Sequence, residues 1–171
     1  MAPLRIAVLE CDTLALPNFL ATHGNYTNVF QHLFARALPL LPSPPPEPPL
    51  LTRHHIVRPH KPEAQLPPAP CPERSYPALD AIDALVISGS RHNAWEDDAW
   101  ILELIDYLRA ALQNGRVRII GVCFGHQVLA RALGAVVRAA PVGWEVSVSD
   151  VELNDEGKRV FGLETMVRMC V

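Results

Sequence analysis

Residues 118–135, RIIGVCFGHQVLARALGA, constrain this chain most. An apolar strand pattern runs into Gly121-Val122-Cys123-Phe124-Gly125 and then, with no linker, into a helical pattern. A strand that enters a helix through a single exposed residue needs a sharp, strained turn, and this G-x-C-x-G spacing is the cysteine version of a nucleophile elbow. Gly121 and Gly125 supply small neighbours where backbones must approach. The turn places the Cys123 sulfur at a helix N-terminus. There the helix dipole and unpaired N–H groups favour thiolate over thiol, which is the reactive form.

The rest of the chain supports an α/β reading. Arg5–Leu9 (RIAVL) and Ala84–Ile87 (ALVI) are short apolar runs of the kind found in buried parallel strands, and Val117–Val122 is a third. The second run leads into Ser88-Gly89-Ser90. Helical spacing of apolar residues covers Tyr26–Leu38, with Asn25 or Thr27 as cap, then Asp97–Leu112, closed by Asn114-Gly115, and Phe124–Leu133, closed by Gly134. Strands and helices in alternation imply a parallel sheet with helices on both faces.

One stretch breaks the pattern. Fourteen of the seventeen prolines fall between Pro39 and Pro77. Proline removes a donor and fixes φ, so residues 39–77 read as a mobile, partly polyproline-like insertion within one domain spanning 1–171. Its middle, His54–Arg58, has room for one short strand. PPPEPP also suits an SH3-type ligand, but a solvated spacer is the preferred reading.

Composition removes several classes. Hydrophobic residues make up 49% of the chain and the formal net charge is −3, which suits a packed core and excludes a basic nucleic-acid-binding surface. No run approaches the roughly 18 apolar residues of a membrane span, and Met1–Glu10 lacks the features of a signal peptide. A cytosolic, reducing location is therefore expected. The cysteines, Cys11, Cys71, Cys123 and Cys170, form no C-x-x-C pair, so neither zinc nor a disulfide framework is expected. No cofactor is called for. Cys11 reads as a small buried hydrophobe.

GVCFGHQ resembles the nucleophile motif of class I glutamine amidotransferases. LVISGS, HNAWEDDAWI, GVCFGHQVLARALGA, GWEV and GKRVFG together resemble a subgroup of free-standing domains, often called GMP-synthase-like in fungi, that includes the plant γ-glutamyl peptidases. The resemblance is strong over Tyr76–Gly162 and weak over Arg5–Asn28. It implies a flavodoxin-like, three-layer α/β fold with a parallel sheet. It also implies hydrolysis of glutamine or a γ-glutamyl amide through a Cys123 thioester, with such a small molecule as the partner and no synthase domain evident.

Roles follow from the resemblance residue by residue. Cys123 is the nucleophile. Phe124 and Gly89 supply the two N–H donors for the negative oxygen that forms. Gln127 contacts the bound substrate, and Gly143 and Trp144, with Glu145, approach its α-amino and carboxylate end. His126 is structural in this family. His92, Asp97 and Asp98 lie near the mouth in this reading, with helix capping the preferred role for the two acids. The family places a histidine, and an acid two residues later, beyond the nucleophile, whereas this sequence has no histidine after His126. The last residues, Glu164–Val171 (ETMVRMCV), also depart from the family pattern. The expectation is a domain incomplete at its C-terminus and catalytically impaired, with a γ-glutamyl peptidase or a non-catalytic remnant as the competing readings.

Overall fold

The computed structural model describes residues 2–13, 17–57, 76–139, 141 and 147–170. Contacts divide the chain into two compact units, Met1–Val137 and Arg138–Val171.

The first unit is built on four parallel strands: β1 (Arg5–Glu10), β2 (Leu50–His55), β3 (Ala84–Ile87) and β4 (Arg118–Gly121). Their order across the sheet is β2-β1-β3-β4, the first four places of a flavodoxin-like sheet. Four α-helices accompany them: α1 (Pro17–His23), α2 (Tyr26–Ala37), α3 (Ala99–Asn114) and α4 (Phe124–Ala132). β1 and β3 lie inside the sheet and are apolar without alternation, because both faces are covered.

Side-chain alternation sends Ile6, Val8, Ala84 and Val86 to one face, where Phe30 of α2 packs on them. Ala7, Leu9, Leu85 and Ile87 point to the other, against Ile101, Leu104 and Leu108 of α3 and Phe124 and Val128 of α4. Leu104 and Leu108 are completely buried. Burying each contributes about 1.5–3 kcal/mol relative to exposure. Helices on both faces of a parallel sheet are what the strand–helix alternation implied.

Local signals set the helix ends. Asn25 caps α2 by accepting from the Asn28 N–H at 3.0 Å, and the Asn28 side chain returns the bond to the Asn25 N–H at 3.1 Å, which makes a reciprocal capping box. Gly115, at φ 67°, closes α3. The buried Glu10 carboxylate at the end of β1 reinforces the α2 N-terminus. It accepts from the Thr27 N–H at 3.0 Å and the Thr27 hydroxyl at 2.8 Å, and Arg53 of β2 donates to its other oxygen at 2.8 Å. One anion thus ties β1, β2 and a helix N-terminus together.

Two elements differ from the sequence reading. The strand expected at His54–Arg58 is Leu50–His55, in register with β1 from Arg5↔Leu50 to Glu10↔His55. The Pro-rich stretch therefore contributes an edge strand to the sheet. The strand occupies the proline-free gap after Pro49, where backbone donors are available, and its first N–H donates to the Leu4 carbonyl at 2.8 Å. The sequence pattern gives no sign of helix α1. None of its residues is buried, so no apolar periodicity marks it.

The second unit is an antiparallel pair, β5 (Ser147–Glu152) and β6 (Thr165–Cys170), joined through helix α5 (Asp155–Phe161). Asn154 caps α5 by accepting the Gly157 N–H at 2.8 Å, and Gly162 at φ 66° closes it. The terminal segment that departs from the family's motif pattern thus includes a paired strand.

Candidate functional site

The parallel ladder continues one residue past β4, with the Val122 N–H donating to the Ile87 carbonyl at 3.0 Å. The chain then reverses at Cys123, whose φ of 53° and ψ of −114° make it the one non-glycine residue with positive φ among the described residues. A non-glycine residue held there costs on the order of 1–3 kcal/mol and is kept only when its surroundings fix it.

The surroundings do so through close backbone approach. A Cβ on Gly121 would lie 2.6 Å from the Gly125 carbonyl group and from the His126 nitrogen. A Cβ on Gly125 would lie 2.4 Å from the Ile87 carbonyl oxygen. Both glycines are therefore required by space, as the spacing implied. Cys123 is exposed at the N-terminus of α4. Its carbonyl accepts the His126 N–H at 3.0 Å and the Gln127 N–H at 3.3 Å, and the His126 ring Nδ1 donates to it at 2.7 Å. That ring is occupied in holding the turn.

Gly89, in the loop after β3, faces the cysteine: a Cβ there would be 3.6 Å from the Cys123 Cβ and 4.0 Å from its Sγ. Among the described residues, no acceptor pairs with the backbone N–H of Gly89 or of Phe124. The Phe124 ring is buried and stacks on Trp100 at 5.5 Å, and Trp100 meets His92 edge-on at 5.1 Å. His92 is thus packed edge-on against Trp100.

A buried polar network that sequence reasoning missed fixes the Gly89 loop. The Ser88 hydroxyl accepts the Cys11 N–H at 2.9 Å and donates to the Gly89 carbonyl at 2.8 Å. The largely buried Asp12 accepts the Arg91 N–H at 2.7 Å on one oxygen and the Thr13 N–H at 2.7 Å on the other. The Arg91 Nε lies 3.2 Å from Asp12 Oδ1. These residues follow the carboxyl ends of β1 and β3, where the strand order reverses. Open α/β sheets bind ligands at such switch points. Only the strand order, which sequence spacing does not give, could have pointed to them.

Burial, helped by the charges of Asp12 and Glu10, pushes the Cys11 thiol well above the usual thiol range, so it is inert. The Tyr26 phenol is raised by burial first and then by Asp12, Cys123 and Glu10, with Arg91 opposing.

Cys123, Gly89 and Phe124 thus come together. Gln127 lies four residues along α4 and is half-buried. Gly143, Trp144 and Glu145 lie outside the described residues. Of the two acids assigned to capping, Asp98 holds the N-cap position of α3, where its backbone carbonyl accepts the Ile101 and Leu102 N–H groups but its side chain makes no cap bond. Asp97 instead pairs with Arg131 of α4 at 2.7 Å. Among the described residues, no cluster of His, Cys, Asp or Glu could hold a metal ion, and no helix is long and apolar enough to cross a membrane.

A family model described as glutamine amidotransferase class-I matches residues 54–169, more than half of the chain. The chain belongs to the class-I glutamine amidotransferase family. A glutamine amidotransferase-like protein of Schizosaccharomyces pombe is 40% identical over 82 residues, covering 47% of this chain and 33% of the relative. Gamma-glutamyl peptidase 4 of Arabidopsis thaliana is 38% identical over 96 residues, covering 54% and 38%. This amidotransferase-family chain therefore aligns with between a third and two fifths of those two relatives. A glutamine amidotransferase from Thermotoga maritima has the same fold, with a TM-score of 0.61 at 14% identity over 99% of this chain and 60% of its own.

Proposed function

We propose that Cys123 is the nucleophile of a site that opens glutamine or γ-glutamyl amides. The thiolate adds to the γ-carbonyl carbon, and the negative oxygen is received by the N–H groups of Gly89 and Phe124. Collapse breaks the C–N bond, and the nitrogen leaves as an amine or ammonia after taking a proton. The γ-glutamyl thioester on Cys123 is then cleaved by water to release glutamate. Gln127 contacts the substrate from α4, and Gly143 and Trp144 take its α-amino and carboxylate end.

One observation carries this reading. A strained, exposed cysteine at a helix N-terminus faces Gly89, where an added Cβ would lie 3.6 Å from the Cys123 Cβ, beside two N–H groups that have no acceptor among the described residues. Removing one such donor typically costs on the order of 10²–10³ in rate. Within these 171 residues no histidine follows His126, and His126 itself is engaged with the Cys123 carbonyl. Proton delivery to the leaving nitrogen and activation of water are then the weak steps, each worth about 10²–10⁴-fold.

The experiment is iodoacetamide labelling near neutral pH, mapped by mass spectrometry. Cys123 is expected to label well ahead of the buried Cys11, and excess glutamine is expected to protect it. Equal labelling of the two, or labelling indifferent to glutamine, would contradict the proposal.

A further inference from the structure

The two outer strands of the parallel sheet are unlike each other. β2 carries Arg53, His54 and His55, and Pro48 and Pro49 precede it, so polar side chains and missing donors guard that edge. β4, at the other edge, pairs with β3 alone among the described residues and reads RIIG, with Arg118 as its single charged side chain. Ile120 is 50% exposed, and Val122, the next residue on its face, is 42% exposed. Val86, the register partner of Ile120, packs with Phe30 of α2, but neither Ile120 nor Val122 joins that cluster.

The backbone of β4 is turned for pairing on its open side. The Arg118 N–H donates to the Asp83 carbonyl and the Val122 N–H to the Ile87 carbonyl, each at 3.0 Å. Alternate residues of a strand bond to the same neighbour. Arg118, Ile120 and Val122 therefore face β3, while the N–H and C=O groups of Ile119 and Gly121 face away from it. Among the described residues no hydrogen bond takes those outward groups up. Such a row is a template for another strand.

A second copy of the same strand fits it. With a two-fold axis through Ile120, antiparallel pairing sets Ile119 opposite Gly121 of the other copy, and Gly121 opposite its Ile119. These are the outward-turned residues, and each opposed pair exchanges both of its hydrogen bonds. Ile120 meets Ile120 in the closer, non-bonded pair, where the two side chains cover each other. The two Arg118 residues then stand at opposite ends, about 14 Å apart along the strands, whereas parallel pairing would set them side by side. We infer that β4 is a homodimer interface, at which two chains join edge to edge and antiparallel about Ile120 into one continuous sheet with four strands from each. The occupant is a second copy because the strand satisfies its outward groups against itself while parting its like charges.

One arm of the test places Ile120→Cys in a Cys123→Ala chain. Opposed residues of a non-bonded pair have Cα atoms about 4.5 Å apart, within reach of a disulfide. Mild oxidation is expected to give a dimer whose cross-link maps by mass spectrometry to residue 120 of both copies. Leu102→Cys in the same background, 41% exposed on α3, should give no such link. The other arm uses the unaltered chain in analytical ultracentrifugation and hydrogen exchange. At about 100 μM it should sediment as a dimer that dissociates on dilution, with the Ile119 and Gly121 amides protected only in the dimer. Ile120→Lys, at an exposed position, should stay monomeric with an unchanged circular dichroism spectrum. A monomer at about 100 μM, equal cross-linking through residues 120 and 102, or a dimer in which those two amides exchange as in the monomer overturns the inference. Aggregates larger than a dimer overturn it as well.

Discussion

Gly125 passes so close to Ile87 that a single added carbon on it would lie 2.4 Å from the Ile87 carbonyl oxygen. The obstacle is main chain of a buried strand, which cannot swing away. Gly125→Ala is therefore expected to lose about 3 kcal/mol of stability by urea denaturation. Gly115→Ala, at φ 67° with open space around it, should lose only about 1 kcal/mol. Similar losses at the two positions would mean that the turn at Cys123 is not held by backbone contact.

Glu10 should matter more than its place at a strand end suggests. Glu10→Ala strips the acceptor from the Thr27 N–H and hydroxyl in a buried setting and removes the partner of Arg53. The expected loss is about 3 kcal/mol, with a smaller loss for Glu10→Gln, which keeps one acceptor oxygen. Equal stability of Glu10→Ala and the unaltered chain would show that β2 and α2 do not depend on this anion.

Acid should destabilise the chain in two stages. Burial first, and then Arg53, hold the His55 imidazole below its ordinary value. The unfolded chain therefore takes up that proton first, and stability falls as pH drops through about 6.5. Hydrogen bonds from Arg5, and after them Arg116, hold the Asp83 carboxyl well below the usual carboxylate range. Its contribution is complete above about pH 4 and is lost as pH falls further. The gap in melting temperature between the unaltered chain and Asp83→Asn should be widest near neutrality and close at low pH. A gap independent of pH would contradict the account.

Much of this fold could be read from the sequence because the inner strands and the helices that cover them carry strong apolar patterns. Ala84–Ile87 was identified to the residue, and α2, α3 and α4 to within two residues at each end. Arg118–Gly121 and its turn were legible because Gly121 and Gly125 are demanded by space. Elements whose cause lies elsewhere were not legible. Leu50–His55 is an edge strand with no fully buried residue, and α1 has none either, so neither leaves a period in the sequence. The Asp12–Arg91 clamp joins residues far apart in the chain. Its partners meet only because β1 and β3 are neighbours in the sheet.

The central claim is that Cys123 takes a γ-glutamyl group. The most direct measurement is the mass of the protein after incubation with γ-glutamyl-p-nitroanilide, whose weakly basic leaving group departs without a general acid. Attack by Cys123 forms the C–S bond and breaks the C–N bond, and p-nitroaniline leaves with a proton from water. The account predicts a γ-glutamyl adduct that builds up on Cys123, maps to the peptide containing it, and is absent from Cys123→Ala. No adduct, or the same adduct in Cys123→Ala, would contradict it.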